Sequence, residues 1–192
     1  MAHTLRDWFG TFWKILISPT STTFVNEAEK GTGKFGSAIL WIVAFAIYTY
    51  GISIAAGNDL PLLTLILLTI IFPLMVLLFS SATHFMLQRV FGKKQYLYDK
   101  YLYIYTAILL LFQFIVIPLV FFLPIHIFNT INYLMVGYQF VLMIIAIRSI
   151  AKIQYWQAAV TVLASVFAGI ITLICSIPVI YSLMGGVSST LR

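Results

Sequence analysis

The chain has 192 residues, of which 62% are hydrophobic and only 8% are charged, and its formal net charge is +6. Soluble domains contain roughly 45–50% apolar and about 25% charged residues, so this composition excludes an ordinary water-soluble domain and indicates an integral membrane protein. The basic residues are spread over short connecting segments, which argues against a nucleic-acid partner. The single cysteine, Cys175, excludes a disulfide framework.

Residues 1–34 form an amphipathic N-terminal segment. Within residues 4–17, aromatic and aliphatic side chains recur every three to four positions, which predicts a helix with one apolar face. Tryptophan and lysine around such a face are typical of a helix that lies at the membrane surface; the alternative is a helix docked on the end of the bundle. Trp8 and Trp13 are therefore candidate contacts with the membrane surface or a partner. A second short helix is predicted over 23–30.

Residues 35–192 contain five apolar segments, and each can cross about 30 Å of hydrocarbon as a helix. These segments are 35–56, 61–88, 101–123, 130–147 and 157–184. Strands are excluded because an open sheet edge cannot lie in lipid. The predicted fold is all-α: an integral membrane bundle of five transmembrane helices, preceded by an amphipathic N-terminal interfacial helix.

The basic residues predict the orientation of this bundle. Apart from Arg192, every Lys and Arg lies before the first segment, between the second and third, or between the fourth and fifth. The positive-inside rule then places the N-terminus in the cytosol and the C-terminus outside. Lys93, Lys94 and Lys152 are candidate contacts with anionic lipids or a partner. The tyrosines that begin the third segment, including Tyr101 and Tyr103, are expected at the membrane–water boundary.

Nothing in the sequence predicts catalysis, a metal site or a cofactor. The acidic residues lie in loops or flanking helices, and the histidines are dispersed along the predicted membrane depth. Common hydrolase, phosphate-binding and metalloprotease motifs are absent from the sequence. No Asp, Glu, Lys or Arg falls in the middle of a predicted span, which argues against a proton- or ion-coupled transporter acting alone. The chain is therefore predicted not to be an enzyme.

The polar groups predicted at mid-depth are uncharged amides. Gln113 and Gln139 lie near the centres of neighbouring predicted spans, where they are expected to hydrogen-bond inside the bundle or through water. A polar substrate cavity is the alternative for the same pair. Pro73, Pro118 and Pro178 each remove a helical hydrogen bond, so helix kinks are predicted there. Broken helices can also line binding sites.

Several local patterns suggest a family. They are Ser18-Pro19 followed by Thr23-Phe24, then Phe91-Gly92-Lys93-Lys94-Gln95-Tyr96 after the second span, and finally Ile147-Arg148-Ser149-Ile150 before Gln157-Ala158-Ala159. In these features and in its order of parts the chain resembles the Yip domain family, the Ypt/Rab-interacting membrane proteins and their bacterial relatives. The Asp-Leu-Tyr-Gly-Pro element of eukaryotic members is absent, which favours a prokaryotic-type member in a bacterial plasma (inner) membrane.

That resemblance implies an integral membrane protein without established catalysis. The predicted function is a scaffold or accessory subunit of a membrane assembly that acts through helix–helix contacts. Its expected partners are membrane lipids and either other membrane subunits or further copies of itself. The alternative is a transporter or lipid-handling component with an uncharged polar cavity near Gln113 and Gln139.

Overall fold

The computed structural model describes residues 5–55, 57, 62–93, 97–119 and 121–190. Within the helices, side chains 5–6, 63–64, 68, 111–113, 115–117, 125, 172–173 and 175–190 lie outside that description. Of the described residues 86% are helical and none is in a strand. The all-α class predicted from the sequence is confirmed.

Seven α-helices make up the described part of the chain. In order they are α1 (Leu5–Ile17), α2 (Ser21–Glu29), α3 (Phe35–Ala55), α4 (Leu62–Phe85), α5 (Tyr98–Leu119), α6 (Ile125–Ala151) and α7 (Tyr155–Thr190). A π-helical turn, Met86–Val90, continues α4 towards the next connection.

Within the described residues, three helical stretches have the length and apolar composition needed to cross a membrane. They are Phe35–Ala55, Leu65–Val90 and His126–Ala151, and Tyr155–Ile171 is a shorter apolar stretch. The stretch His126–Ala151 corresponds to the fourth predicted segment, 130–147, and extends beyond both of its predicted ends. Residues 124–129 had been assigned to the connection between the third and fourth segments, but α6 already begins at Ile125, directly after Pro124.

The two short helices before α3 have clear physical boundaries. The side-chain oxygen of Thr20 accepts a hydrogen bond from the Thr23 backbone N–H at 3.2 Å, which caps α2 at its N-terminus. The predicted second helix, 23–30, therefore begins two residues earlier, at Ser21. After α2 the chain turns through Gly33, whose φ of +70° is a left-handed conformation that glycine adopts without a steric penalty.

Helix α5 is the centre of the described bundle. It packs against α1, α2, α3, α4 and α6, so the side chains of residues 101–108 are all buried. A helix that is buried on every side must be apolar around its circumference or pair its polar groups internally. The N-terminal half of α5 is largely apolar, and its Tyr103 and Tyr105 hydroxyls belong to two separate hydrogen-bonded networks.

Helices α4 and α7 also pack closely on each other. Gly169 of α7 faces the ring of Phe79 in α4, and a Cβ atom at position 169 would lie 2.9 Å from Phe79 Cε2. The missing side chain lets the two helices approach, which is how small residues act in membrane helix pairs.

Candidate functional site

The basic residues of the described chain gather at one end of the bundle. Lys93 Nζ donates to the backbone carbonyl of Lys152 at 3.3 Å, which joins the α4–α5 connection to the end of α6. Lys100 of α5 forms an ion pair with Glu29 of α2. We refer to this end, where α1, α2 and the basic connections meet, as the basic end. The predicted clustering of the connections agrees with this arrangement, although Lys94 lies outside the described residues.

A buried carboxylate, Glu27, organises the basic end. Its Oε2 accepts a hydrogen bond from the Thr11 hydroxyl at 2.6 Å and forms an ion pair with Lys30 at 2.5 Å. Its Oε1 accepts from Lys14 Nζ at 3.2 Å. The Thr11 hydroxyl in turn lies 3.1 Å from the hydroxyl of Tyr103 on α5. Only 3% of the Glu27 side chain is exposed, so this network joins α1, α2 and α5 through one desolvated charge.

The surroundings of Glu27 determine its charge state. Burial raises the pKa of a carboxyl group, but hydrogen bonds from Lys30, Thr11 and Lys14 more than offset this effect at Glu27. The pKa of Glu27 therefore lies below its ordinary value. The side chain is anionic at neutral pH, and its ion pair with Lys14 holds α1 against α2, while the Thr11–Tyr103 hydrogen bond connects both to α5.

Helix α1 is docked by one aromatic face. Trp8 is fully buried; its ring centroid lies 4.4 Å from that of Tyr103, and its Nε1 donates to the Ser37 hydroxyl at 3.2 Å. Trp8 thus occupies the interior of the protein and not the surface position predicted for it. This is the docked alternative of the sequence analysis. Trp13, in contrast, is 64% exposed on the other side of α1.

The α2–α3 connection also packs on Tyr103. A Cβ atom at Gly31 would lie 2.4 Å from Tyr103 Cβ, a distance that no pair of side chains tolerates. The tyrosines that begin α5 are consequently covered, since Tyr101, Tyr103 and Tyr105 are each at most 2% exposed. The expectation that Tyr101 and Tyr103 lie at a wet membrane boundary is corrected: α1, α2 and the neighbouring helices shield these side chains.

A polar pocket opens beside this network. It has a volume of about 460 Å³ and lies between α2, the start of α5 and the end of α6, where Glu29, Lys100 and Lys152 contribute charges of both signs. Lys152 ends α6 in a left-handed conformation with φ of +51°, and its side chain is exposed. The pocket is suited to a polar surface contact, and its mixed charge favours neither anions nor cations strongly.

A second buried network binds the helices deeper in the bundle. The Thr83 hydroxyl lies 2.5 Å from the Tyr105 hydroxyl and 2.9 Å from the Ser165 hydroxyl, so α4, α5 and α7 are joined at one point. Ser165 also donates to the backbone carbonyl of Thr161 at 2.9 Å. Beside this network the Tyr101 hydroxyl is buried and has no hydrogen-bond partner among the described residues.

Of the two predicted mid-depth amides, the structure describes one. Gln139 is only 7% exposed and lines a cavity of about 150 Å³ whose other walls are largely apolar, among them Phe79 and Leu109. The same two residues also line a neighbouring apolar cavity of about 210 Å³ between α3, α4 and α5. The Gln113 side chain lies outside the described ones, so its pairing with Gln139 stays a prediction.

The predicted kink sites all fall inside helices. Pro73 lies within α4 and Pro118 near the end of α5, and both helices continue through the proline. Pro178 falls within α7, where its side chain is outside the described set. The kinks themselves stay predictions.

Metal-ligating side chains do not converge in the part of the chain that the structure describes. No group of three or more His, Cys, Asp and Glu residues there could hold an ion. The chemistry available at the basic end is therefore charge pairing and hydrogen bonding.

Sequence analysis missed both buried networks. Thr83 and Ser165 belong to residue types that are common in membrane helices and carry no distinguishing pattern. Glu27 did offer a signal, because a Lys lies three residues later and another lies in the preceding helix. Neither spacing, however, reveals that Tyr103, 76 positions further on, completes the network.

Comparison with known proteins finds no matching protein-family model, no matching curated protein and no matching solved structure.

Proposed function

We propose that the chain is a non-enzymatic integral membrane protein of the Yip-domain type, which serves as a scaffold or accessory subunit of a membrane assembly. In this proposal α3 to α7 are the five membrane-spanning helices, and the basic end faces the cytosol of a bacterial cell across its plasma membrane. The helical class and three candidate spans support the membrane placement. The positive-inside rule supports the orientation.

The observation that carries the scaffold role is the use of the buried polar groups. Thr11, Glu27 and Tyr103 join one set of helices, and the Thr83, Tyr105 and Ser165 hydroxyls join another. In both networks polar side chains bind helix to helix and present no reactive group to an open site. Such networks rigidify a bundle, which is the property that a structural subunit requires.

Helix α1 adds a surface to this scaffold. Its Trp8 face is buried, while Phe9, Trp13 and Ile17 on other sides are each more than half exposed. Large apolar side chains are costly to leave in water but suit the boundary between headgroups and acyl chains. We propose that α1 lies at this boundary, docked on the bundle by one side and facing lipid or a partner subunit with the other.

The topology is tested by cysteine labelling in intact cells. Single cysteines would be placed at Thr32 and at Phe122, which lie in connections at opposite ends of the bundle, in a background carrying Cys175→Ala. We expect a membrane-impermeant maleimide to label position 122 from outside and position 32 only after the membrane is permeabilised. Labelling of both positions from the same side would contradict the alternating five-span arrangement.

The scaffold role is tested on the intact assembly. The chain would be purified from its native membrane in mild detergent or nanodiscs and weighed by native mass spectrometry. A stoichiometric partner subunit or a defined homo-oligomer is expected. A monomer that retains a small molecule would contradict the scaffold role and favour transport.

The interior cavities favour a lipid-handling or transport component as the second candidate function. Gln139 supplies a polar group to a cavity that adjoins a second, apolar one. If Gln113 and Gln139 pair there, replacing both with Leu should lower thermal stability and separate α5 from α6 in a cross-linking assay. Unchanged stability and proximity would refute the pairing.

A further inference from the structure

A second pocket lies at the end of α4, beside Tyr98. It has a volume of about 360 Å³ and is lined by the end of α4, the following π-helical turn and the start of α5: Ser81, His84, Phe85, Gln88, Arg89 and Tyr98. We propose that this pocket binds the phosphate headgroup of an anionic phospholipid. The proposal rests on the membrane placement of α4 given above, but not on the scaffold role.

Hydrogen-bond donors form the polar part of the pocket lining. The side chains of Ser81, Gln88 and Arg89 make no hydrogen bond or ion pair with any described residue. Arginine is planar and always charged, and it can donate two parallel hydrogen bonds to phosphate oxygens. The Ser81 hydroxyl and the Gln88 amide can supply further donors, so the lining offers an anion donors that the described residues do not use.

Charge complementarity favours an anion because no acid lines the pocket. The nearest acid in sequence, Asp99, accepts a hydrogen bond from the Gly33 backbone N–H at 3.3 Å and so serves the α2–α3 turn. Glu27 and Glu29 are paired with lysines. The guanidinium of Arg89 therefore has no carboxylate partner in the described chain, and an external anion can neutralise it.

The position of the pocket favours a lipid as the source of that anion. Ser81 and Arg89 lie at the end of the candidate span Leu65–Val90. Eight residues of helix separate them along the axis by about 12 Å, enough to reach from the headgroups into the acyl region. Phe85, between them, is 60% exposed. A phospholipid with its phosphate at Arg89 then has its glycerol ester beside Phe85 and its acyl chains at the depth of Ser81 and beyond.

The backbone geometry explains why Arg89 lines the pocket. The Phe91 N–H donates to the Met86 carbonyl at 3.1 Å, and the Lys93 N–H donates to the Leu87 carbonyl at 2.9 Å. These wide turns replace the last α-helical turns, and Gly92 closes them with a φ of +66°. Single π-helical turns inside or at the end of α-helices frequently occur at functional sites.

The test uses the full chain in mild detergent with equal amounts of phosphatidylglycerol and phosphatidylcholine, and native mass spectrometry counts the lipids that the protein retains. We expect preferential retention of phosphatidylglycerol. Arg89→Gln should weaken this binding about tenfold, as expected for the loss of one charge-assisted contact. Lys34→Gln removes the same charge at the same end of the bundle without touching the pocket, so it should leave retention unchanged.

Equal losses in Arg89→Gln and Lys34→Gln would overturn the site, because they would reveal only attraction to the overall charge. Equal affinity for inorganic phosphate and for phosphatidylglycerol would overturn the assignment to a lipid, because the acyl chains would then contribute nothing to binding. Gln88→Ala, which keeps every charge, should weaken binding less than Arg89→Gln; no effect of either variant would also overturn the site. A chain that fails to enter the membrane fraction would refute the membrane placement itself, whereas an inserted chain without lipid preference refutes only the pocket.

Discussion

Replacing the buried carboxylate of Glu27 by an amide should loosen α1 and α2 while leaving the rest of the bundle folded. Glu27→Gln keeps the size of the side chain but removes its charge. The variant retains one oxygen that can accept from Thr11, and it turns an amide N–H₂ group towards a lysine ammonium. The structural consequence is confined to the two short helices and the Tyr103 surface on which they pack.

The size of the effect follows from the contacts of Glu27. A hydrogen bond to a charged group is worth about 1 kcal/mol more than one to a neutral group, and the buried Thr11 contact at 2.6 Å loses this difference in full. The energy of the two lysine contacts is reduced by solvent screening, because 60% of the Lys14 side chain and 35% of the Lys30 side chain are exposed. Each contact contributes about 0.5 kcal/mol. The total is about 2 kcal/mol.

Hydrogen–deuterium exchange of the detergent-solubilised chain measures this loss locally. Amides of α1 should exchange about thirtyfold faster in Glu27→Gln than in the wild type, and those of α4 and α7 should not change. Glu29→Gln is the matched control, because 59% of the Glu29 side chain is exposed and its ion pair with Lys100 is worth at most about 1 kcal/mol. Equal acceleration in both variants, or acceleration spread over the whole bundle, would refute the reasoning.

Three further results are expected. Lowering the pH should release α1 as Glu27 protonates. The pKa of Glu27 in the folded chain lies below the ordinary 4.5, so its stabilising effect is complete above pH 4.5 and disappears as the pH falls through the folded pKa. Hydrogen exchange, corrected for its intrinsic pH dependence, should show this loss in the wild type and not in Glu27→Gln. Gly31→Ala should destabilise the chain by about 1–3 kcal/mol, because the added methyl group overlaps Tyr103; thermal unfolding in detergent measures this loss. Gly10→Ala is the control, since a Cβ atom at position 10 has no neighbour within 4 Å, and it should be neutral or stabilising. Tyr105→Phe should cost about 1 kcal/mol in the same assay, and Tyr101→Phe, whose hydroxyl has no described partner, should cost less; the reverse order would contradict the described networks.

Much of the helical architecture could be predicted from residue patterns. Apolar stretches such as Phe35–Ala55 are long enough to span a bilayer, and the physics of lipid excludes strands, so the all-α class followed without knowledge of any contact. Boundaries were harder where polar residues occur inside a helix. Residues 124–129, which include the polar His126 and Asn129, were assigned to a connection, yet the backbone from Ile125 onwards forms the first turns of α6.

The sites could be predicted only in part. Lys93 and Lys152 were assigned to the same side of the membrane as contacts with lipids or a partner, and the structure joins them to each other by a hydrogen bond. Arg89 was assigned only to the basic side of the membrane, because nothing in the spacing indicates that a π-helical turn directs it into a pocket with Ser81 and Gln88.

The sequence by itself determined the helical class, the apolar character of the long helices and the concentration of basic residues in alternate connections. These properties depend only on the composition of each segment and on the spacing of its apolar residues, which neighbours along the chain decide. Only the tertiary structure decided which side of α1 is buried, which tyrosines of α5 are shielded and which polar groups pair. Trp8 and Trp13 show the difference: both are aromatic residues of one amphipathic pattern, yet one is fully buried and the other is 64% exposed. The physical reason is that burial depends on which neighbouring helix covers a side chain, and Tyr103, far along the chain, supplies the surface that covers Trp8.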